Sequence, residues 1–376
     1  MLVRRVVLTL ALLAGCGDGS NQPMVAPPDM ARAALDHPAL WRLNKGTGGV
    51  QDAAQVWTVV WPGDEAIGAE VADFVDWMLH SDYWKASLLE YGVGPGAGKG
   101  LIVMPTAAPS LLGDAQLQQI VGQLVSSGQV TASDNTHVLF VPPTTTTVTD
   151  ASLTGCSDFT GYHWHTGGAS GVAYSINLRC TGEAGEPIDQ LTDTISHEVA
   201  EAATDPEPRS GYVDGSPGGQ EVADLCEFGL DVPIDVPPDA THPTARRYWL
   251  QRLYSDARAA MGNVEPCVPL PWEHPYWNVA LDPAVIPAAP GSSDAIAARL
   301  DVFAYGDVGD IKWVASSFGA DVSPSSGTAH AGDTIAISVT PLQALRAGET
   351  VEIDVLSESA KAGSQLWMGY VQAGAQ

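Results

Sequence analysis

Basic residues are scarce in this chain: 17 Lys and Arg stand against 44 Asp and Glu, so the formal net charge is −27 at pH 7. So acidic a surface repels nucleic-acid phosphates and anionic lipid headgroups, which excludes both as expected partners. It favours solubility and cation binding. Long apolar runs are also lacking, because nothing after the first 16 residues is apolar and long enough for a transmembrane helix.

Cysteine is also scarce, with five residues. None of them forms a CxxC pair, which argues against a cysteine-ligated zinc site. Four cysteines follow the N-terminal segment, and an even number in an exported chain predicts two disulfides with three conceivable connectivities. We expect neighbours in sequence to pair, Cys156 with Cys180 and Cys226 with Cys267.

The first residues, MLVRRVVLTLALLAGC, have the features of an export signal. Two arginines precede a short apolar run, and Leu-Ala-Gly-Cys resembles the bacterial lipobox, in which the cysteine is lipidated. We therefore predict a signal peptide over 1–16, a lipid on Cys16 and a flexible stalk over 17–45. The protein would be exported and anchored to the cell envelope, at the outer membrane or cell surface, and would contact membrane only through this lipid. An ordinary secretory signal is the alternative.

Apolar runs of strand and helix type alternate from residue 46 to residue 275, which predicts an α/β (α+β) domain. Two helices are expected before residue 92, with a break near Ser81-Asp82, and the segment 144–171 is expected to be a loop. From residue 290 to residue 376, short alternating runs are separated by turn signals about every ten residues. They predict an all-β, immunoglobulin-like sandwich without a catalytic constellation.

The stretch ISHEVAEAATDPEP, residues 195–208, is the strongest chemical signal. Isoleucine and valine at helical spacing predict a core-facing stripe, and the helix should end near Thr204 because Pro206 disfavours the preceding helical conformation. His197 and Glu201, four positions apart, share one face and could both reach a cation. Glu198 has the offset that suits a general base in HExxH peptidases. An exposed acidic face with one histidine is the plain alternative.

A third ligand is needed, and Glu221 is the first choice because it lies on a glycine-rich acidic segment twenty positions after Glu201. That spacing resembles the ligand spacing of thermolysin-like peptidases, in which a nearby aspartate supports a ligand histidine. Zinc accepts imidazole and carboxylate ligands, and calcium or manganese would also suit a set this rich in oxygen. The alternative ligands are Asp205, Asp224, His163 and His165.

Several blocks occur in an order that resembles one group of exported bacterial proteins: GYHW, SHEVAEAATDP, GYVD, QEVADLC and YWLQRLYSDA. The group has the pattern SHExxEAxTDP…WYD…GxEIxDxC…Q..WSN and distantly resembles plant phosphate-induced, EXORDIUM-type extracellular proteins. The likeness runs from about residue 48 to residue 267. It departs where this chain has GYVD in place of WYD and YSD in place of WSN. The plant relatives lack the His-Glu pair, so the fold can serve roles without this chemistry.

The resemblance implies a zincin-like core with a metal at His197 and Glu201, Glu198 beside it, and Glu221 with Asp224 on the following loop. Two functions follow as expectations. The first is a zinc-dependent, metallopeptidase-like hydrolase that acts on a peptide, a protein or a cell-envelope polymer, with Glu198 activating water. The second is a non-catalytic binding or adhesion lipoprotein, in which the ion only stabilises the loop before Cys226.

Overall fold

The computed structural model describes residues 37–167, 171–180, 187–227, 231–237, 245–271 and 274–374. The predicted signal peptide, Cys16 and the first twenty residues of the predicted stalk lie outside these ranges. In the described part of the chain, no helix is long and apolar enough to cross a membrane.

Residues 37–271 form a domain that combines helices with several small sheets and one larger sheet. In chain order its elements are β1 (Leu43–Lys45), β2 (Gln55–Val60), α1 (Glu65–His80), α2 (Asp82–Leu88), a 3-10 turn (Leu89–Tyr91), β3 (Ala97–Val103), β4 (Leu111–Gly113), α3 (Asp114–Ser126), β5 (Thr136–Phe140), β6 (Thr147–Asp150), β7 (Leu153–Thr154), β8 (Gly161–His165), β9 (Ala173–Asn177), α4 (Pro187–Thr204), β10 (Tyr212–Asp214), a 3-10 turn (Asp224–Cys226), β11 (Asp231–Val236), β12 (Arg246–Gln251), β13 (Leu253–Tyr254), α5 (Asp256–Ala259) and β14 (Cys267–Val268).

The larger sheet has the strand order β3-β2-β5-β9-β8. The first four strands run parallel, and β8 pairs antiparallel to β9 at the edge. Helices cover both faces of this sheet. Alternate side chains of a strand point to opposite faces, so each central strand contributes to two cores. Val56 and Val60 belong to a core shared with α1, α2 and α4, whereas Trp57 and Val59 belong to a second core that includes α3. The predicted α/β layering is confirmed for this domain.

Local signals placed most helices correctly. The first two helices are separated at Ser81, whose hydroxyl accepts the backbone N–H of Trp84 and so caps α2. Helix α4 ends at Thr204, as predicted. The prediction of a loop over 144–171 is wrong, because β6, β7 and β8 lie within it. The GYHWH strand has little apolar alternation, and it is extended because every residue pairs with β9.

The second domain is a β-sandwich of two packed sheets around its own core. Its strands are β15 (Tyr276–Asp282), β16 (Val285–Ala288), β17 (Ile296–Tyr305), β18 (Ile311–Ser316), β19 (Ala320–Ser323), β20 (Ser326–Ala329), β21 (Thr334–Pro341), β22 (Thr350–Ser359) and β23 (Gly363–Ala373). The sheets have the orders β15-β17-β21-β19 and β16-β23-β22-β18-β20. The predicted start at residue 290 is too late, since β15 and β16 belong to the sandwich. Prolines around both strands disguised their pattern.

The stalk prediction is wrong for residues 37–45, which pack onto both domains. The ring of His37 stacks on Phe303 at a centroid distance of 4.3 Å, and the indole N–H of Trp41 donates to the carbonyl of Met368 at 3.1 Å. Strand β1 pairs with β10, and Leu43 is buried. The segment is ordered by contacts that come from distant parts of the chain.

Both predicted disulfides are present. Cys156 pairs with Cys180, and Cys226 pairs with Cys267. Disulfides form and persist in oxidising compartments, so they fit an extracellular or periplasmic protein. The second bridge joins the 3-10 turn after residue 223 to β14, close to the predicted metal ligands.

Candidate metal centre

Helix α4 carries the predicted site on the side that contacts strands β8 and β12. Ile195 and Val199 are fully buried in the domain core, which fixes the rotation of the helix about its axis. Its other side contacts β8 and β12. Strand β8 can approach closely because residue 161 is glycine: a Cβ there would lie 2.9 Å from Oε1 of Glu198.

The first set of ligand-type side chains, called the outer group, consists of His197, Glu201 and Asp224, whose ligand atoms all lie within 4.8 Å of one another. Nε2 of His197 is 3.1 Å from Oε2 of Glu201 and 3.6 Å from Oδ1 of Asp224. The Asp224 backbone N–H donates to the other Glu201 oxygen at 3.2 Å, which holds the loop against the helix. The side chains of His197 and Asp224 are 13% and 26% exposed, so solvent reaches this group.

The second set, called the inner group, consists of His163, Glu198 and Glu201. Nδ1 of His163 is 3.6 Å from Oε2 of Glu198 and 3.5 Å from Oε2 of Glu201. All three side chains are at least 93% buried, with exposures of 4%, 7% and 4%. Glu201 therefore belongs to both groups, and the same oxygen, Oε2, faces both imidazoles.

The hydrogen bonds of Gln251 determine which nitrogen of His197 carries a proton. Its side-chain NH₂ donates to the carbonyl of Ala223 at 2.6 Å, and its backbone N–H donates to the hydroxyl of Ser196 at 2.9 Å. The amide oxygen must then face Nδ1 of His197, 2.8 Å away, and that nitrogen must donate. Nε2 is left to face the outer group. Ligand histidines commonly have this arrangement.

The inner histidine is oriented in the same manner by the backbone. Nε2 of His163 lies 3.2 Å from the carbonyl oxygen of Asp205 and donates to it. Nδ1 is thereby directed at the two glutamates of the inner group. Oε1 of Glu221 lies 3.5 Å from the same Nε2, and this buried oxygen accepts no hydrogen bond.

The predicted ligand set does not come together as a whole, because Glu221 belongs to neither group. His197 and Glu201 come together as expected, and Asp224, an alternative ligand, completes the outer group in place of Glu221. Glu198, the predicted base, contacts His163 and not His197. His163, another alternative, is in the inner group.

The remaining two alternatives lie outside both groups. The carboxylate of Asp205 accepts three backbone N–H groups of its own loop, from Arg209, Ser210 and Gly211. The ring of His165 accepts the N–H of Gly167 in the turn after β8.

Acidic groups outnumber imidazoles in this cluster. Burial by itself would lower the pKa of both histidines, but the facing carboxylates, Glu221 for His163 and Glu201 for His197, raise both pKa values well above the usual one. Burial raises the pKa of Asp224 to about 8, and the Glu201 carboxylate adds to the effect. Burial and neighbouring carboxylates also raise the pKa of Glu221, although His163 opposes this. The raised carboxyl pKa values reflect repulsion among acidic groups crowded around two imidazoles, and a cation would relieve it.

Gln251 was missed by reasoning from the sequence. It stands in the YWLQRLYSDA block that carries the resemblance, but neither its position nor its residue type indicated a role. Its contact with His197 depends on β12 lying beside α4.

We expect Gln251→Leu to weaken zinc binding 10- to 100-fold, because Nδ1 of His197 loses its acceptor and the ring its fixed orientation. Zinc titration by isothermal calorimetry measures this. The matched control is Gln190→Leu, an amide on α4 whose nitrogen makes no hydrogen bond in the described structure. Equal affinities in the two variants would contradict the orienting role.

The fold and the cluster together define a class of protein: a mixed α/β domain with a buried histidine-carboxylate centre, followed by a β-sandwich. No protein-family model matches the chain, and no curated protein matches it. Among solved structures, 30% of the chain is similar to 92% of PapD-like domain 7 of human CEP192, at 17% identity and a TM-score of 0.22. Similarly, 27% of it covers 99% of the BIgI domain of the S. agalactiae beta protein, at 10% identity and a TM-score of 0.18. Likenesses this low carry no conclusion about function.

Proposed function

We propose that this protein is an exported, zinc-dependent hydrolase of the metallopeptidase type, zincin-like in its first domain, with its metal at the outer group. The observation that carries the proposal is that Nε2 of His197 faces both Glu201 and Asp224. The hydrogen bond from Nδ1 to Gln251 fixes the imidazole in this orientation. The separations from Nε2, 3.1 and 3.6 Å, suit three ligands of one small cation. Zinc bound there would act as a Lewis acid on a carbonyl oxygen.

The edge strand β8 supports a peptide as the substrate. It is the last strand of its sheet, and no other described strand pairs with its outer edge. Such an edge offers backbone donors and acceptors to an extended polypeptide. Since β8 also carries His163, a peptide added at this edge would lie beside the cluster. Glu198 is proposed as the group that takes a proton from water.

A lipid on Cys16 would anchor the enzyme to the cell envelope, and the β-sandwich would hold it near its substrate. This part of the proposal rests on the sequence and on the resemblance to exported bacterial proteins. Incorporation of labelled palmitate in the producing cells, compared between the wild type and Cys16→Ala, tests the anchor.

We expect His197→Ala to lower the zinc content by one ion per chain, because the outer group loses its only nitrogen ligand. Elemental analysis after zinc loading and dialysis measures it. His165→Ala is the matched control, since it removes a histidine from β8 that belongs to neither group. Unchanged zinc in His197→Ala would exclude this site.

Cleavage of a mixed peptide library tests the reaction. The wild type should cleave it, and chelation should abolish cleavage. Glu198→Gln should reduce the rate by 10² or more if this carboxylate is the general base. Unchanged cleavage by this variant would remove Glu198 from the mechanism.

One observation favours a second candidate, a non-catalytic binding or adhesion protein. The cluster is mostly enclosed, and its cation could serve only to hold the loop that bears Glu221 and Asp224. A metal-loaded protein that cleaves no peptide, but loses binding to envelope material when the metal is removed, would favour this function.

A further inference from the structure

We propose that the cluster holds two divalent cations, one at each group, with the carboxylate of Glu201 bridging them. The outer cation is the one already proposed, so this inference rests on the proposed function, but it makes Glu198 a metal ligand in place of the base. The inner cation, bound by His163, Glu198 and Glu201, is the new element. Glu221 faces the other nitrogen of His163, Nε2, at 3.5 Å.

The spacing of the inner group is the first argument. Nδ1 of His163 is 3.6 and 3.5 Å from the nearest oxygens of Glu198 and Glu201. Charge-assisted N–H···O bonds are shorter, about 2.7–2.9 Å. Two ligands that bind one cation at about 2.1 Å in tetrahedral geometry are separated by about 3.4 Å. The observed separations are therefore too long for a shared proton and match an edge of a coordination shell.

The direction of the imidazoles is the second argument. Each ring donates through one nitrogen to a fixed oxygen, His163 to the Asp205 carbonyl and His197 to the Gln251 amide. The other nitrogen of each ring then faces Oε2 of Glu201 from its own side, at 3.5 and 3.1 Å. One carboxylate oxygen between two oriented nitrogens is an arrangement for a bridging ligand.

Carboxylates outnumber the imidazoles that can pair with them in this buried cluster. Glu198 and Glu201 are almost inaccessible, and Oε1 of Glu221 is buried without a hydrogen bond. Burying a charge is costly unless it is paired or coordinates a metal. Two divalent cations would balance the four carboxylates of the cluster with both imidazoles neutral.

The two groups differ in solvent exposure, so the two cations would have different roles. The inner group is closed, so its cation would polarise and fix Glu201 without touching substrate. The outer group includes Asp224, the most exposed of these ligands, so substrate would meet the cation there. Glu198 changes in this arrangement from the expected base to a ligand.

Metal stoichiometry of the full-length mature protein tests the inference. After zinc loading and dialysis, elemental analysis should find two ions per chain in the wild type and in the His165→Ala control. His163→Ala and His197→Ala should each retain one ion, and Glu201→Ala should retain fewer than one. Circular dichroism verifies that each variant is folded, and Glu198→Gln provides a milder change with the same expected loss of one ion.

Manganese gives a second readout that is independent of activity. Two equivalents of Mn²⁺ bound to the wild type should give a spin-coupled paramagnetic resonance spectrum, and His163→Ala should give an isolated six-line spectrum. One zinc per wild-type chain, with no loss in His163→Ala, would overturn the inner site and leave the outer one intact. Two ions without peptide cleavage would instead support the inner site and contradict the proposed hydrolase. If Glu198→Gln keeps two ions but loses cleavage, Glu198 is the base and not a ligand.

Discussion

Replacing both Cys226 and Cys267 with serine is expected to lower the free energy of unfolding by about 4 kcal/mol and to release the outer cation. The bridge joins cysteines 41 positions apart. Closing a loop of that length lowers the entropy of the unfolded chain, which accounts for the expected loss of about 4 kcal/mol. Cys226 ends the same 3-10 turn that begins with Asp224, so the bridge also restrains a ligand. Its partner lies in β14, which pairs with β13 just after Gln251.

The other disulfide provides the matched control. Its separation is 24, so replacing Cys156 and Cys180 with serine should cost about 3.5 kcal/mol. The loop that this bridge closes includes β8, and therefore His163 of the inner group, but no residue of the outer group. Chemical unfolding of each double variant and its zinc content in native buffer measure the two effects. Stability should fall in both variants, whereas zinc should be lost mainly from the first. Equal zinc retention in the two variants would contradict a restraining role for the Cys226 bridge.

Asp205→Ala is expected to destabilise the first domain by about 3 kcal/mol. The carboxylate is fully buried and accepts three backbone N–H groups, at 2.6 Å from Arg209, 3.0 Å from Ser210 and 2.6 Å from Gly211. Alanine would leave these donors without an acceptor, and the buried N–H of Gly211 would be the most costly to leave unsatisfied. The loop is tightly packed there as well, because a Cβ at Gly211 would lie 2.3 Å from the carbonyl oxygen of Thr204.

Asp205→Asn separates the hydrogen bonds from the charge. The remaining side-chain oxygen can still accept the N–H groups of Ser210 and Gly211, so the free energy of unfolding should fall by only about 1 kcal/mol. Thermal and urea unfolding of the wild type and both variants give the comparison. Both variants keep the backbone carbonyl that accepts from His163, so zinc should still bind to the folded protein. A loss below about 1 kcal/mol in Asp205→Ala would show that water replaces the carboxylate.

The zincin-like interpretation now rests on a small number of contacts. Helix α4 presents His197 and Glu201 on one face, as the HExxE pattern predicts. The four-residue spacing of this pair and the core-facing stripe are both local properties of a helix. The third ligand could not be chosen in the same way. Asp224 and Glu221 are three residues apart on one loop. How that loop folds back on α4 decides that Asp224 joins the outer group and that Glu221 faces Nε2 of His163.

His163 shows the same limit more clearly. Its GYHW block carries part of the resemblance, and His163 is one of the alternative ligands that the sequence indicates. Its strand was nevertheless expected to be a loop, because short polar strands have no periodic apolar signal. Only its pairing with β9 brings it against α4. Gln251 and the ordering of residues 37–45 likewise depend on neighbours more than 50 positions away.

The sequence by itself determined the alternation of helices and strands, the bounds of α4 and the pairing of His197 with Glu201. These features depend on periodicity, caps and spacing within one element, so short-range physics specifies them. The tertiary structure decided that Glu201 is shared by two histidines, that Asp224 joins one of them and Glu198 the other, and that a glutamine orients His197. Those contacts join α4, β8, β12 and a loop that are far apart along the chain, and only the packing of the common core sets their distances.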